Sequence, residues 1–513
     1  MRIKQAWFRA LLRRRIAVIL LLAVQVLFLC YAVGSENPVA EAVRILLHVA
    51  SALIAIHVIS QKEKGAYKVA WVSILLLFPL FGGVFYFLYY FQSSTRRFRK
   101  EISDIEPGNR DLYRLPGDAM KAIEQTAPQH MPQVRYLQQF AGFPIFDATE
   151  VRYFSPGEQF MEPFLSELRK AQRYIFIEYF IMEDGVLWGS ALEILKEKAR
   201  QGVEVRVIYD DIGCFLTLPK DYSKQMEQYG IQCVVFNPFR PFLSVKQNNR
   251  DHRKITSIDG KVAFTGGLNL ADEYINYIEK YGQWKDSAIM VEGKAAWSLT
   301  LIFLEMWELC VKPKERFEKF YPWKESACPV TARGFVQPYA DSPMDDEHIG
   351  EHVYMQILNN AKDYVYITTP YLIVDDSMVS ALCLAAKSGG DVRIITPHVW
   401  DKALIHMTTR SYYRELIQGG VKIYEYSRGF MHAKTFVSDD KTATVGTTNL
   451  DFRSLYLHFE CGVWMYESDA VLQIKEDFLN TLQDCQQISY EDCKGNAMMR
   501  ILQNILRLFA PLM

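Results

Sequence analysis

Two short stretches, 180 residues apart, repeat one another and constrain this chain more than any other feature. The first is Asp251-His252-Arg253-Lys254-Ile255-Thr256-Ser257-Ile258-Asp259, followed by Gly266-Gly267-Leu268-Asn269. The second is Met431-His432-Ala433-Lys434-Thr435-Phe436-Val437-Ser438-Asp439, followed by Gly446-Thr447-Thr448-Asn449. Both read H-x-K-x4-D-x6-G-[GT]-x-N. A chain duplicated over such a pattern predicts two copies of one supersecondary unit, packed together as a pseudo-symmetric pair.

The surroundings of the two stretches repeat as well. A helical pattern over Phe160–Ala171 leads to the strand candidate Tyr174–Tyr179, and a second over Gly189–Gln201 leads to Val203–Ile208. In the later half the helix Glu351–Ala361 precedes Tyr364–Ile367, and Ser377–Lys387 precedes Val392–Ile395. This alternation predicts an α/β fold with largely parallel sheets flanked by helices.

The spacing inside each motif carries chemistry. His and Lys two apart on a strand project from one face. Asp259-Gly260 is a strong hairpin-turn signal and Asp439-Asp440 a weaker one. Each motif is therefore read as a hairpin, with His and Lys on the outgoing strand and Gly and Asn on or after the return. That brings His252, Lys254 and Asn269 together, and likewise His432, Lys434 and Asn449, around an anionic group. Lysine supplies a point charge for nonbridging phosphate oxygens and asparagine a neutral donor. Asp259 and Asp439 lie at the turns, an odd number of residues from their histidines, which predicts a supporting role and no proton transfer.

One copy makes a phosphate-binding hairpin, and a single H-x-K is weak evidence of anything. Two copies facing each other place two imidazoles on opposite sides of one phosphorus. One attacks in line while the other protonates the departing alkoxide, and the roles reverse when a new alcohol enters. Two lysines, two asparagines and a cationic histidine suffice to neutralise the transition state, so no metal or other cofactor is expected.

Charge and cysteine usage narrow the substrate. The first hundred residues hold fourteen Lys and Arg against three Glu, a net of +11, so the remainder carries −12 within a total of −1. A body this acidic is a poor match for a nucleic-acid backbone. Nine scattered cysteines contain no C-x-x-C pair, which argues against a structural zinc site and for reduced thiols. No disulfide framework is indicated, and a Cys485–Cys493 bridge is left open.

Three apolar runs open the chain: Ile16–Val33 behind Arg13-Arg14-Arg15, Val43–Ser60, and Val69–Phe91, whose 23 residues carry no charge. A span needs about 20 apolar residues, so the third run is the strongest candidate and the first two are marginal. Pro79 and Gly82-Gly83 interrupt it, which leaves a kinked or re-entrant segment open. The domain expectation is an anchor over 1–100, one catalytic half over 101–320 and another over 321–513, the last ending in an amphipathic helix from Met498 to Leu508. Basic residues on both sides of the third run leave orientation open, and reduced cysteines favour the cytoplasmic face.

With these motifs in view, the chain resembles the phospholipase D superfamily, and within it bacterial cardiolipin synthases. The likeness is carried by Asn269–Tyr274, Tyr281–Asp286, Val421–Tyr426, Gly429–His432, Asn449–Ser454 and the terminal Arg507–Leu512. It implies an α/β fold of two tandem, pseudo-symmetric phospholipase D-like domains, mixed sheets flanked by helices, behind an α-helical transmembrane anchor. It implies a histidine pair, His252 and His432, with Lys254, Lys434, Asn269 and Asn449 as the phosphate clamp. Asp286 and Glu460 take the later acidic positions that hydrogen-bond the histidines. His458 departs from the family, which more often carries Asn there. The implied reaction moves a phosphatidyl group between two phosphatidylglycerols and releases glycerol. Hydrolysis or transfer to another alcohol is the alternative within the same chemistry. A membrane-tethered nuclease and an inactive lipid-binding scaffold are the readings from other classes. Glu178 and Tyr179 are candidate cleft residues, and the aromatic loop Phe236–Phe242 is either an acyl-chain gate or ordinary packing.

Overall fold

The computed structural model describes residues 37–90, 98–102, 111–113, 118–239, 245–311, 315–323 and 328–512, together with residues 23 and 27. The apolar run Ile16–Val33 and the tip of the Phe236–Phe242 loop lie outside the described residues. The chain forms two compact units, one drawn from residues 1–98, 239–248 and 504–513, the other from 99–238 and 249–503.

In the smaller unit, helix α1 (Pro38–Ser60) starts where Asn37 accepts a hydrogen bond from the Val39 N–H at 2.9 Å, with Pro38 in the first turn. That is the expected start of a helix, since the first N–H groups lack internal partners and proline has none to lose. Glu41–Ser60 is long and apolar enough to cross a membrane, and it exposes Ile45, Leu46, Val49, Leu53, Ile56 and Ile59. The third apolar run is not one helix. It divides into α2 (Gly65–Leu77) and α3 (Pro79–Tyr90), with Phe78 at φ −132° and ψ 70° between them. The residue before a proline is pushed out of the helical region, and Pro79 cannot continue the hydrogen-bond ladder. Gly82 then allows the second half to fold back closely, because a Cβ there would meet the Ile74 carbonyl oxygen at 2.9 Å. At about 1.5 Å per residue neither half reaches across a bilayer core of about 30 Å. The expectation of a multi-pass anchor with this run as its strongest span is thereby corrected: among the described residues one helix, that of the second run, is long and apolar enough to cross. Trp71, Leu75 and Tyr86 pack with Ala55 and Val58 in the small core of this unit.

The larger unit contains two large sheets and two two-stranded ones. The strands of the first half are β1 (Thr149–Phe154), β2 (Tyr174–Tyr179), β3 (Glu204–Asp210), β4 (Gln232–Phe236), β5 (Lys254–Ile258), β6 (Val262–Gly266), β7 (Gln283–Lys285) and β8 (Ala288–Gly293). Those of the second are β9 (Phe335–Asp341), β10 (Tyr364–Thr368), β11 (Leu372–Ile373), β12 (Asp391–Pro397), β13 (Lys422–Tyr426), β14 (Gly429–Met431), β15 (Thr435–Ser438), β16 (Thr442–Gly446), β17 (Leu450–Asp451), β18 (Glu460–Tyr466) and β19 (Cys485–Ile488). The orders of the large sheets are β1-β8-β6-β5-β2-β3-β4 and β19-β13-β12-β10-β15-β16-β18-β9, and β7-β14 and β11-β17 form the two-stranded ones. The two large sheets therefore share one central arrangement, as the repeat predicts.

Both large sheets are mixed, as the family resemblance implied, with a larger antiparallel share than the strand–helix alternation alone suggested. Within them parallel pairing is confined to β2-β3-β4 and β10-β12-β13, the strands joined by helical crossovers. The motif strands β5-β6 and β15-β16 are antiparallel because a three-residue connection permits nothing else. At those turns Asp259 and Gly260 have φ of 53° and 67°, and Asp439 and Asp440 of 55° and 57°, the left-handed pair that a tight hairpin requires.

The helices Glu158–Lys170 and Val186–Arg200 pack together beside the first sheet. Ala296–Val311 lies against β2, β4, β5, β6 and β8 and also meets β9 of the second sheet. It is as apolar as α1 but buried nearly throughout, including Trp297, Phe303 and Leu304. Each large side chain so buried contributes roughly 1.5–3 kcal/mol. Its counterpart in the second half, Asp469–Leu482, meets β10, β13, β15, β16 and β19 and reaches β1 of the first. The two halves are thus joined by a shared core. The eight described cysteines are all free thiols, Cys485 and Cys493 included.

Candidate active site

The catalytic candidates sit where the halves exchange backbone. Short strands β7 and β14 pair in parallel, Gly429 against Gln283 through Met431 against Lys285. The His432 N–H donates to the Lys285 carbonyl at 2.7 Å, and the His252 N–H donates to that of Phe459 at 2.9 Å. Each motif histidine is therefore held by the main chain of the opposite half. The sequence expectation placed His and Lys on the outgoing strands; Lys254 does open β5, whereas His252, His432 and Lys434 lie just before their strands, β15 beginning at Thr435.

Side chains repeat the exchange. His252 Nδ1 donates to Glu460, at 2.9 and 3.0 Å from its two oxygens. His432 Nδ1 donates to Asp286 at 2.6 Å. A carboxylate only accepts, so each bond puts the proton on Nδ1 and leaves the lone pair on Nε2. Asp286 and Glu460 are fully buried, and the histidines nearly so. Asp286 is fixed further by the Ser287 N–H at 2.8 Å. Gly267 is required beside it, for a Cβ there would lie 2.0 Å from its Oδ1. At the equivalent place the second half carries Thr447, whose hydroxyl donates to Glu460. The alternatives Gly and Thr in the motif thus mark how each acid is steadied.

The lysines close the pocket. Lys254 Nζ donates to the His252 carbonyl at 2.6 Å, and Lys434 Nζ donates to the His432 carbonyl and lies 2.9 Å from its Nδ1. Burial brings Lys254 down to about 8 and Lys434 to about 7. Burial, then the charge of Lys434, brings His432 to about 4 against the opposing pull of Asp286. His252 is lowered well below its usual range by burial and by Lys254, Lys434 and His432 in turn. Burial would raise Asp286, but His432 and Lys434 overcome it and hold the carboxyl below its ordinary range. Four buried nitrogenous side chains, each lowered first by burial, form a site poised for an anion.

The remaining predicted residues fall as follows. Asn269 donates to the Tyr274 hydroxyl at 2.7 Å and accepts from the Ile181 N–H at 3.0 Å. Asn449 donates to Asp451 at 3.2 Å, and its carbonyl oxygen has no hydrogen-bond partner. Asp259 accepts from the N–H groups of Gln172, Arg173 and Tyr174 at 2.8–2.9 Å, and Asp439 from those of Lys362, Asp363 and Tyr364 at 2.8–3.0 Å. Both carboxylates therefore pin the motif turn to the start of the neighbouring strand, β2 or β10. Glu178 is a buried partner of Arg253 at 2.7 Å, and Tyr179 accepts from Thr256 at 3.3 Å, so neither is free to line a cleft. Phe236 packs edge-on against Phe459, its ring centroid 5.6 Å away.

Sequence reasoning missed the aromatic walls. Tyr274, Trp284 and Phe430 surround His432 with ring centroids 5.3–5.9 Å away, and Phe180 stands edge-on to His252 at 5.1 Å. Tyr274 and Trp284 lay in the segments that carried the family resemblance, a signal that no periodicity rule reads as a wall.

Comparison with known proteins agrees with this geometry. The family described as cardiolipin synthase, PLD-like domain, matches residues 164–307 and 354–482, and a phospholipase D-nuclease N-terminal family matches residues 49–89. An uncharacterised protein of Streptococcus mutans serotype c is 42% identical, covering 87% of this chain and 96% of its own length. A cardiolipin synthase of Halalkalibacterium halodurans is 33% identical, covering 91% of this chain and 93% of that one. The crystal structure of phosphatidylserine synthase from Haemophilus influenzae superposes with a TM-score of 0.54 at 15% identity, over 72% of this chain and 94% of that one, which shows a common fold. Two matched domains, each supplying a histidine to one pocket, leave a single assignment: the chain belongs to the cardiolipin synthase family of the phospholipase D superfamily, a phosphatidyltransferase.

Proposed function

We propose that this cardiolipin synthase joins two phosphatidylglycerols through a covalent phosphohistidine. The observation that carries the reading is the pair of crossed histidine–carboxylate contacts, His252 with Glu460 and His432 with Asp286, beside two buried lysines. His252 Nε2 attacks the phosphorus of the first lipid, and the bond from phosphorus to the glycerol oxygen breaks. With the anionic lipid bound, His432 takes up a second proton, on Nε2, and gives it to that oxygen, and glycerol leaves. The free glycerol hydroxyl of a second phosphatidylglycerol then gives its proton to His432 and attacks phosphorus, and the phosphorus–nitrogen bond breaks. Cardiolipin departs and both imidazoles return to their starting state. Lys254 and Lys434 balance the charge on the nonbridging oxygens; the bound phosphate in turn restores the proton affinity that burial removed from them. Asn269 and Asn449 flank the same oxygens, while Asp259 and Asp439 position the hairpins. This chemistry needs no metal.

We place the catalytic halves at 101–320 and 321–513 behind an anchor over 1–100. The exposed apolar face of α1 supports attachment to the cell membrane, with α2 and α3 as a re-entrant hairpin. A second crossing depends on Ile16–Val33, outside the described residues. The helix Ala497–Phe509 exposes Met498, Ile501, Leu502 and Ile505 on one face, the pattern of a helix lying in a membrane surface. The absence of disulfides among the described cysteines favours the cytoplasmic side.

The test is incubation of the purified protein with phosphatidylglycerol in detergent, with and without EDTA, followed by mass analysis of the lipids. Cardiolipin and glycerol in both arms are expected. Phosphatidic acid as the main product would assign hydrolysis instead, and loss of turnover on chelation would overturn the metal-free route.

A further inference from the structure

A third histidine stands beside the nucleophile. His458 has a side chain only 11% exposed, and its ring centroid lies 5.6 Å from that of His252. Its Nδ1 is 3.8 Å from Glu460 Oε1, outside hydrogen-bond reach, and neither ring nitrogen has a hydrogen-bond partner. A buried imidazole with both nitrogens unsatisfied is uncommon enough to need a reason. One ligand atom from each of His252, His458 and Glu460 falls within 4.8 Å of the others, the one such cluster among the described residues.

We propose that His252, His458 and Glu460 form an inhibitory site for a zinc-class transition metal. The inference rests on the transfer reading above, because its effect is to silence His252 as nucleophile. Two imidazoles and one carboxylate are a common ligand set for Zn2+, with a fourth position left for water. Lys254 and Lys434 beside the pocket oppose any cation, which selects against Mg2+ and Ca2+. These bind oxygen through charge alone, whereas Zn2+ and Co2+ form strong bonds to nitrogen. A neutral imidazole has a single lone pair. If the metal takes Nε2 of His252, the attacking atom is occupied. If it takes Nδ1, the proton moves to Nε2, which then has no lone pair for phosphorus. Either mode stops the first step and withdraws Glu460 from its orienting bond. The His432–Asp286 side keeps its proton-transfer geometry, so the brake is one-sided.

The experiment titrates the purified full-length protein in neutral detergent with Co2+, follows its visible absorption, and displaces it with Zn2+. In parallel, cardiolipin formation is measured against buffered free Zn2+. One Co2+ per chain and inhibition by Zn2+ are expected. His458→Asn should weaken both responses by about tenfold or more while still making cardiolipin in the presence of EDTA. His458→Gln serves as the second variant should Asn disturb folding. Equal Zn2+ sensitivity in wild type and both variants, or an unchanged Co2+ spectrum, would overturn the proposal while leaving the transfer reading in place. Co2+ binding that depends on His458 in a protein that makes no cardiolipin would uphold the metal site and remove the transfer reading.

Discussion

Glu460 accepts a hydrogen bond from His252 at 2.9 Å across 208 positions of sequence, from one half of the repeat to the other. The reciprocal contact joins His432 to Asp286 across 146 positions. Neither half holds a complete histidine–acid pair of its own. A duplicated gene product usually keeps two independent sites or loses one; here the exchange makes the two copies a single catalytic unit.

The crossing predicts which step each acid controls. Asparagine or glutamine at these positions permits the wrong tautomer, a loss of roughly 10^2–10^4 in turnover where a buried carboxylate orients a catalytic histidine. Glu460→Gln should impair adduct formation on His252, and a substrate with a good leaving group should not rescue it. Asp286→Asn should impair protonation of the departing glycerol, and the same substrate should rescue the first step. The check is burst amplitude with that substrate, alongside thermal melts showing both variants folded. Rescue of Glu460→Gln but not of Asp286→Asn would reverse the assignment.

Much of this was legible in the sequence, and the failures have physical causes. Tyr174–Tyr179 was read to the residue, because an apolar run between two helical periods has few other options. The helix read as Ser377–Lys387 differs by a single residue from the observed Asp376–Lys387, whose start is capped by Asp375. Val69–Phe91 misled because hydropathy counts apolar residues and ignores the backbone hydrogen bond that Pro79 cannot make. Largely parallel sheets were expected from the helical crossovers, although Asp259-Gly260 already demanded antiparallel neighbours. The partner of His252 was beyond reach: Asp286 and Glu460 were identified by resemblance, but which histidine each serves is set by the packing of the halves. Cysteine and histidine spacing could not find the His458 cluster, since its members come from both copies.

Asp259 and Asp439 are predicted to act on folding. Each carboxylate serves three backbone N–H groups, so Asp259→Ala leaves three donors short of a partner at a cost of about 2–4 kcal/mol. The melting temperature of Asp259→Ala should fall clearly, while the folded fraction still forms the phosphohistidine at low temperature. Wild-type stability with no adduct would make the aspartate part of the chemistry.

The pH dependence follows from the crowded cations. In the free enzyme Lys434 lies near 7 and His432 near 4, both lowered first by burial. A lowered pKa means that the charged form is lost as pH rises, so the free site loses its acid, His432, above about 4 and the phosphate-binding charge of Lys434 above about 7. A bound phosphodiester favours the charged forms and raises both values. Because kcat/KM reports the free enzyme and kcat the complex, the alkaline fall of kcat should lie at higher pH than that of kcat/KM. The apparent values belong to the coupled set of groups. Rate profiles in a neutral detergent check this, and coincident limbs would show that phosphate does not recharge the site.

The two histidines are predicted to be unequal. With His252 as acceptor of the phosphatidyl group, its carboxylate partner Glu460 is steadied by the Thr447 hydroxyl, whereas Asp286 is steadied by the Ser287 N–H and lies 2.6 Å from His432 Nδ1. The longer contact of 2.9 Å suits an imidazole that must stay neutral and keep one tautomer for attack. The shorter contact suits one that must hold a second proton and give it up. His432→Ala should therefore still form the covalent adduct slowly from a substrate whose leaving group needs no acid, and His252→Ala should form none. Both should lose cardiolipin formation by several orders of magnitude, since nucleophile and acid work as a unit. Intact-protein mass spectrometry after a rapid quench reads the outcome. An adduct in His252→Ala with none in His432→Ala would exchange the roles, and adducts in both would mean that either half can open the reaction.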